Sequence, residues 1–121
     1  MKKVYTTDAP LPFSNVIVQD NVAYVAGQVG FDEKQNIPKG IEAQTDWTIK
    51  NLKRSLEEAG FKLEDVVKVG AYLVNNSDFP KFNEIYASYF KSDRPVRTTI
   101  FCKLAKPDFL VEIDAIAAKN T

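Results

Sequence analysis

Three charged residues near the C-terminus have the types and spacing that small-molecule chemistry requires. Arg97 begins a β-branched stretch, where a guanidinium without a partner would be costly to bury. Arginine is also the side chain best shaped to bind a carboxylate through two parallel hydrogen bonds. Glu112 and Asp114 alternate with apolar residues, so both carboxylates lie on one face of a strand. The three residues predict a carboxylate-binding site with an acid or base. A surface arginine and two solvated carboxylates are the alternative.

Composition limits the other chemistry that is available. The chain has no histidine and one cysteine, Cys102. These counts exclude Ser-His-Asp and Cys-His nucleophiles, histidine-ligated metals and a cysteine-rich zinc site. We interpret Cys102, which is flanked by Phe101 and Lys103, as a buried structural thiol. Catalysis would therefore depend on carboxylates, arginine, lysine, tyrosine or ordered water.

Length and charge indicate the class of protein. The 121 residues predict a single domain, residues 1–121, and 45% apolar with 26% charged residues is typical of a globular chain. Lys plus Arg and Asp plus Glu each number 16, so the basic excess that nucleic-acid binding needs is missing and nucleic acid is an unfavoured partner. No apolar run resembles a signal peptide or approaches the roughly 18 residues of a membrane span. We expect a cytoplasmic protein with no membrane partner.

Hydrophobic periodicity predicts the elements that position these residues. The expected order is β-β-α-β-α-β-β, an α+β fold with a single sheet packed on two helices. The predicted strands are 15–19, 22–26, 66–74, 97–103 and 110–117, and the predicted helices are 41–59 and a second one that is capped by Ser77 or Asp78. Asp20-Asn21 is predicted to form a tight turn, and the turn containing Pro107 is predicted to join the last two strands as a hairpin.

The strand 66–74 has apolar residues on both of its faces. By alternation, Val67, Val69, Ala71 and Leu73 share one face, whereas Val66, Tyr72 and Val74 share the other. Two helices cover only one face of a sheet. The second apolar face is therefore expected to be buried against copies of the same chain.

The predicted hairpin also separates the candidate residues. In that register Arg97 lies opposite Ile116, and Glu112 lies about four residues further along, which is more than about 13 Å. One small ligand would not reach both. If Arg97 and Glu112 serve one site, we expect that site to lie between subunits.

Five segments carry a resemblance that covers the chain nearly end to end. They are VAYVAGQVGFD, GIEAQTDWTIKNLKRSLEEAG, DVVKVGAYLVNNSDFPKFNEIYASYF, and RPVRTTIF followed by LVEIDAIA. With these segments the chain resembles the reactive intermediate deaminase family, RidA/YjgF, also described as endoribonuclease L-PSP. The resemblance implies a chorismate-mutase-like fold, a homotrimer and ligand sites in clefts between subunits. It further implies hydrolysis of enamines and imines, such as 2-aminoacrylate, to 2-keto acids and ammonia without a cofactor.

The resemblance also assigns roles to individual residues. Arg97 matches the arginine that binds the substrate carboxylate, and Glu112 matches the glutamate that positions or activates water. Gly27 matches the glycine of the S-G-Q segment in the cleft, and Asn83 matches the asparagine of the second helix. Such a site suits a chain without histidine, because an iminium carbon is already electrophilic and needs only a held carboxylate and one oriented water.

The sequence departs from the family pattern at four positions. Phe13 replaces a tyrosine of the pocket, Ala26 replaces the serine before Gly27, Thr99 stands where cysteine is frequent, and Asp114 stands where glutamate is usual. Phe13 and Ala26 remove two hydroxyl groups, so the pocket is less polar. Altered substrate preference, slower turnover and a pocket that only binds are the three alternatives.

Three functions are considered from this resemblance and from the four departures. The favoured one is a 2-iminobutanoate/2-iminopropanoate deaminase-type hydrolase, for which Arg97 is the carboxylate anchor. The alternative is a non-catalytic trimer that binds small carboxylates, which the loss of the two hydroxyl groups favours. The least favoured is an endoribonuclease, because the net charge is zero and no basic surface with interleaved aromatic residues is evident.

Overall fold

One mixed sheet of six strands is covered on one face by two helices. The computed structural model describes residues 2–120. The strands are β1 (Lys3–Thr6), β2 (Ser14–Gln19), β3 (Val22–Gln28), β4 (Val66–Leu73), β5 (Val96–Phe101) and β6 (Val111–Ala118), and the helices are α1 (Ile41–Glu58) and α2 (Phe79–Tyr89). The strand order is β1-β2-β3-β6-β4-β5. Every neighbouring pair is antiparallel except β4 and β5, which are parallel. The predicted fold class is confirmed.

The core lies between the helices and one face of the sheet. The predicted stripe of α1 is buried there, from Ile41 through Leu52 to Leu56, and α2 contributes Phe82 and Tyr86. Helical spacing places these side chains on one face of each helix. Both faces contribute to the same core, so the two helices pack on the same side of the sheet. The turn between β2 and β3 also forms as predicted, because Asp20 and Asn21 both have positive φ, at 52° and 64°.

The first strand and the last connection differ from the prediction. The short strand β1 was not predicted, and it pairs along the edge of β2. The predicted hairpin between the last two strands is wrong: β5 pairs with β4, and β6 inserts between β3 and β4. The helix α2 carries the chain from β4 to a parallel neighbour, as a crossover does, and the segment 102–110 then passes to the other side of β4. Arg97 therefore lies opposite Val69 and not opposite Ile116.

A β-bulge changes which residues of β4 face the helices. The register shifts between Val66 and Lys68, so Val66 joins Val69 in the core while Val67 is left 48% exposed. The alternation assumed from the sequence is therefore wrong for these two residues, although it holds from Val69 onward.

Cys102 also differs from the prediction, because it lies partly exposed just beyond β5 instead of being buried.

The other face of the sheet is free of helices and carries apolar side chains. Strand pairing places Tyr24, Val96 and Ile100 on it, together with Val4. All four are at least 45% exposed, and Val96 reaches 68%. The expected second apolar face is therefore present in the described chain.

None of the described helices is long and apolar enough to span a bilayer.

One buried side chain holds together the two loops that flank the sheet. The amide of Gln44, on α1, donates hydrogen bonds to the carbonyl oxygens of Pro38 at 2.9 Å and Asp108 at 2.8 Å, and its oxygen accepts one from the N–H of Leu110 at 2.8 Å. Gln44 is almost fully buried. Three backbone groups would lose their partners without this amide, and an unsatisfied buried polar group is destabilising.

We predict that Gln44→Met lowers the free energy of unfolding by about 2–4 kcal/mol, because the side-chain volume is kept while three buried hydrogen bonds are lost. Urea unfolding of the purified protein measures the change. Lys53→Met, at an exposed position of the same helix, is the matched control and should differ from wild type by about 0.5 kcal/mol or less. Equal stability of the two variants would contradict the structural role of Gln44.

Candidate functional site

Arg97 is held between strand β5 and helix α2. Its Nη2 donates a hydrogen bond to Oδ1 of Asn83 at 2.8 Å. Its guanidinium carbon lies 4.6 Å from the ring centre of Tyr86, 5.3 Å from that of Phe82 and 5.8 Å from that of Phe79. Cation–π contacts with three rings and one amide fix the orientation of the guanidinium without neutralising it. The structure thus brings together Arg97 and Asn83, two of the predicted site residues.

The charge of Arg97 is not paired within the described chain. The two salt bridges among residues 2–120 join Lys50 to Asp46 and Lys81 to Glu42, and Arg97 takes part in neither. A guanidinium has five N–H donors, of which the contact with Asn83 uses one. A half-buried arginine with free donors and no internal carboxylate is suited to bind an anionic ligand.

Tyr86 lies directly against this guanidinium. Its hydroxyl group is buried and has no hydrogen-bond partner among residues 2–120. Burial raises the pKa of the Tyr86 phenol, and the neighbouring positive charge of Arg97 offsets part of that increase. Tyr86 therefore stays neutral and acts as an aromatic support for Arg97.

Glu112 faces the other side of the sheet, beside Gly27. Strand β3 bulges between Val25 and Gln28, and this brings the backbone of Gly27 against the Glu112 side chain. A Cβ atom at position 27 would overlap the Glu112 carboxylate, so any larger residue here would displace that side chain from its observed position. Burial raises the pKa of the Glu112 carboxyl, and the nearby charge of Asp114 raises it further.

Asp114 is fixed on the same face by two hydrogen bonds. The Tyr72 hydroxyl donates to Oδ2 at 2.9 Å, and the backbone N–H of Gly70 donates to Oδ1 at 3.1 Å. The bond to Asp114 raises the pKa of the Tyr72 phenol, and burial adds to the increase. In contrast, no side-chain hydrogen bond within residues 2–120 involves Glu112. Of the two carboxylates, Glu112 is the one whose oxygens are available to a ligand or water.

A buried polar network supports the Ala26–Gln28 segment, and the sequence analysis missed it. The Gln28 amide donates to the carbonyl of Ala26 at 3.0 Å and to Oδ1 of Asn15 at 2.9 Å. The Asn15 amide donates to Oγ of Ser55 at 2.9 Å, and that hydroxyl donates to Oε1 of Gln28 at 3.2 Å. The signal in the sequence is a glutamine at the end of an apolar strand and a serine within the apolar stripe of α1. The closed network fixes the backbone of β3 on either side of Gly27, which lies against the Glu112 side chain.

Arg97 and Glu112 do not converge within one chain. Arg97 pairs with Val69, whose side chain faces the helices, whereas Glu112 pairs with Tyr72, whose side chain faces away from them. The two residues are therefore on opposite faces and are separated by strand β4. The separation matches the expectation from the sequence, but its cause is the strand order and not a hairpin register.

The comparisons with known proteins agree on one family. The sequence profile of the Endoribonuclease L-PSP family matches residues 6–119. The RutC family protein of Pyrococcus horikoshii is 42% identical over 126 residues, which cover 99% of this chain and 100% of that protein. The chain belongs to the RidA/YjgF family. A Thermotoga maritima protein superimposes with a TM-score of 0.91 at 35% identity over the whole of both chains. RidA from a Psychrobacter species has a TM-score of 0.87 at 30% identity over 94% of each chain.

The positions at which this RidA/YjgF chain departs from the family pattern lie apart in the structure. Thr99 follows Arg97 on the same face of β5, and Ala26 lies beside Gly27 on the helix-free face. There Ala26 and Gly27 line a groove of about 540 Å³ that also contains Asp114. Phe13 is 54% exposed before β2, which three strands separate from β5. Within one chain, Phe13 is therefore remote from Arg97.

The raised pKa of Glu112 predicts a pH-dependent effect of removing its charge. A carboxyl whose pKa is raised by folding destabilises the native state when ionised and carries no such penalty below its unfolded-state pKa of about 4.3. Glu112→Gln should therefore be more stable than wild type at pH 7. The advantage should shrink as the pH falls through the raised pKa and vanish near pH 4.

Urea unfolding at pH 7 and pH 4 measures this difference. Glu58→Gln, at an exposed position of α1, is the control for the loss of one negative charge at each pH. A stability gain of the same size at both pH values, or a less stable Glu112→Gln at pH 7, would contradict a burial penalty at Glu112.

Proposed function

We propose that this protein is an imine and enamine deaminase that hydrolyses 2-imino acids, such as 2-iminopropanoate and 2-iminobutanoate, to 2-keto acids and ammonia. The observation that carries the proposal is Arg97, a half-buried arginine oriented by Asn83 and without a carboxylate partner among residues 2–120. The carboxylate of a 2-imino acid satisfies the free N–H donors of this guanidinium. Membership of the RidA/YjgF family supports the same substrate class.

The proposed reaction needs few groups besides Arg97, which holds the substrate carboxylate. Water adds through its oxygen to the carbon of the protonated imine, which is already electrophilic, and gives up one proton to leave a neutral carbinolamine. That proton is then returned to the amino group, the carbon–nitrogen bond breaks, and ammonia leaves while the hydroxyl group loses its proton and becomes the carbonyl of the 2-keto acid. Rate acceleration follows from holding the carboxylate and orienting one water. No metal or cofactor is required by this scheme.

Glu112 is proposed to act on that water. Its carboxylate accepts a proton as the water attacks and returns it to the departing nitrogen. A carboxyl with a raised pKa is better matched to proton transfer near neutral pH than an ordinary glutamate. Its freedom from internal hydrogen bonds leaves both oxygens available, and Gly27 supplies the space beside it.

A complete site requires two copies of the chain, because Arg97 and Glu112 lie on opposite faces of one sheet. We propose that the helix-free faces pack together in a homotrimer and that Glu112 on this face of one subunit approaches Arg97 at the open β5 edge of the next. The exposed apolar side chains of that face support such packing. The threefold symmetry rests on the family resemblance.

A second candidate function is a trimer that binds small carboxylates without turning them over. Phe13 and Ala26 favour it, because each lacks a hydroxyl group that the family pattern places in the pocket. The anchor would be the same Arg97, so binding and catalysis must be measured separately. Ribonuclease activity remains the least favoured function, because the net charge is zero.

We predict that the wild-type protein accelerates keto-acid release when a pyridoxal-phosphate serine or threonine dehydratase generates the imine in the same solution. Arg97→Lys should lose at least about tenfold of that acceleration, because the charge is kept while a bidentate, charge-assisted contact worth about 1.5–3 kcal/mol is weakened. Arg97→Ala should not exceed the spontaneous rate. Keto acid is followed by a coupled dehydrogenase, and light scattering reports the oligomeric state.

Arg54→Lys is the matched control, since Arg54 is exposed on α1, and it should retain full activity. Wild type that forms trimers but gives no acceleration would contradict the deaminase. Calorimetry with pyruvate would then decide the second candidate, which requires binding by wild type and its loss in Arg97→Ala. RNA cleavage that survives Arg97→Ala would contradict both carboxylate-based functions.

A further inference from the structure

One row of side chains crosses the whole helix-free face of the sheet. Its members are register partners on successive strands, so their side chains stand side by side. Neighbouring strands are about 4.8 Å apart, which makes the row about 24 Å long. Five members are apolar or aromatic and the sixth is a lysine. This apolar row consists, from one sheet edge to the other, of Val4, Ile17, Tyr24, Ile116, Lys68 and Val96.

Next to the apolar row the same face is low. The following row contains Asp114, Gly70 and Thr98, which are register partners on β6, β4 and β5. Gly70 has no side chain, and a Cβ atom there would overlap the Asp114 carboxylate and crowd the Tyr72 hydroxyl. The depression between the apolar row and Tyr72 is the groove of about 540 Å³, and Lys68 and Asp114 both line it.

The apolar row and the groove are complementary in shape. Successive rows on one face of a sheet are about 7 Å apart, so the groove has room for one row of side chains from a facing sheet. Packed sheets lie about 10 Å apart, and their side chains interdigitate. One face therefore carries both the ridge and the groove that a second copy of the chain needs. A contact between two different patches is heterologous and closes into a ring when its rotation allows.

The apolar row and the groove also carry opposite charges. Neither Lys68 nor Asp114 takes part in the two salt bridges among residues 2–120. The two oxygens of Asp114 accept hydrogen bonds from neutral donors, the Tyr72 hydroxyl and the Gly70 N–H. Each carboxylate oxygen can accept a second bond. An ammonium group buried among apolar side chains without a partner is costly, so packing of the apolar row requires an anion opposite Lys68.

We propose that Lys68 of one subunit forms an ion pair with Asp114 of the next, with the apolar row of the first subunit lying in the groove of the second. The inference rests on the proposed homotrimer and names the contact that fixes its register. The apolar row supplies the buried area, whereas the pair disfavours other registers, because each of them leaves a buried charge unpaired. Glu112 does not line the groove and stays available to the substrate water.

Charge reversal tests the pair. Light scattering over a dilution series gives the concentration at which half of the protein is trimeric. Lys68→Glu places two carboxylates together at each contact between subunits, and Asp114→Lys places two ammonium groups there. We expect each variant to raise the half-assembly concentration by at least about tenfold, because like charges at an interface oppose association. The Lys68→Glu/Asp114→Lys double variant restores opposite charges and should return to within about threefold of wild type.

Mixing the single variants separates a pair between subunits from a pair within one chain. Lys68 and Asp114 also lie on neighbouring strands of the same chain, and the double variant would restore a pair between them as well. In an equimolar mixture of Lys68→Glu and Asp114→Lys, two of the three contacts in every mixed trimer join opposite charges. The proposed pair therefore predicts that the mixture assembles at a lower concentration than either variant alone. A pair within one chain predicts no gain from mixing.

Lys53→Glu is the matched control, because it reverses the same charge at an exposed position of α1, and it should assemble like wild type. Circular dichroism shows whether each variant is folded. If Asp114→Lys does not fold, the nearly isosteric Asp114→Asn replaces it. The pair then predicts that Lys68→Glu/Asp114→Asn assembles at a lower concentration than Lys68→Glu, because one of the two opposed carboxylates is removed.

Three results would overturn the pair while the homotrimer stands. They are a Lys68→Glu variant that assembles like Lys53→Glu, a mixture that assembles no better than its components, and a Lys68→Glu variant that Asp114→Asn does not improve. A wild-type protein that stays monomeric at every concentration would overturn the homotrimer and the pair together. Assembly is measured without substrate, so none of these results depends on whether the chain is a deaminase.

Discussion

The parallel pairing of β5 with β4 determines where every charged group of the site lies. Because α2 carries the chain across the sheet, β5 becomes an edge strand beside its own crossover helix, and Arg97 turns toward that helix. The strand β6, inserted on the other side of β4, presents Glu112 to the helix-free face. A hairpin between β5 and β6 would instead have made the two strands neighbours. The sheet therefore keeps the cation and the carboxylate apart.

This separation has an electrostatic consequence. Within one chain Arg97 and Glu112 cannot form an ion pair that would neutralise the anchor and lower the pKa of the acid. Arg97 is supported by neutral groups, namely three aromatic rings and the Asn83 amide. Glu112 is instead partly buried beside another carboxylate, and both its burial and the charge of Asp114 raise its pKa and favour its protonated form. Within residues 2–120 the fold therefore gives neither group an opposite charge, which is the condition that the proposed two-subunit site requires.

The sequence was sufficient for features that depend on local periodicity. The stripe of α1, the turn at Asp20-Asn21 and the shared face of Glu112 and Asp114 follow from spacings within one element. Strand order is not local: β5 and β6 have the same alternation whether they pair with each other or not. The bulge at Val67 is likewise invisible, because one extra residue reverses the faces without changing composition. The sequence therefore identified the candidate site residues but did not predict the strand order and the bulge that position them.

The departures from the family pattern remove hydroxyl groups but leave Arg97 and Glu112 in place. The proposed imine hydrolysis needs an anchored carboxylate and an oriented water, and Arg97, Asn83, Glu112 and Gly27 are the residues proposed for those tasks. The resemblance to the family places the hydroxyl groups missing at Phe13 and Ala26 around the substrate. Because the electrophile is reactive without enzyme, a pocket can exchange polar contacts for apolar ones and retain its rate.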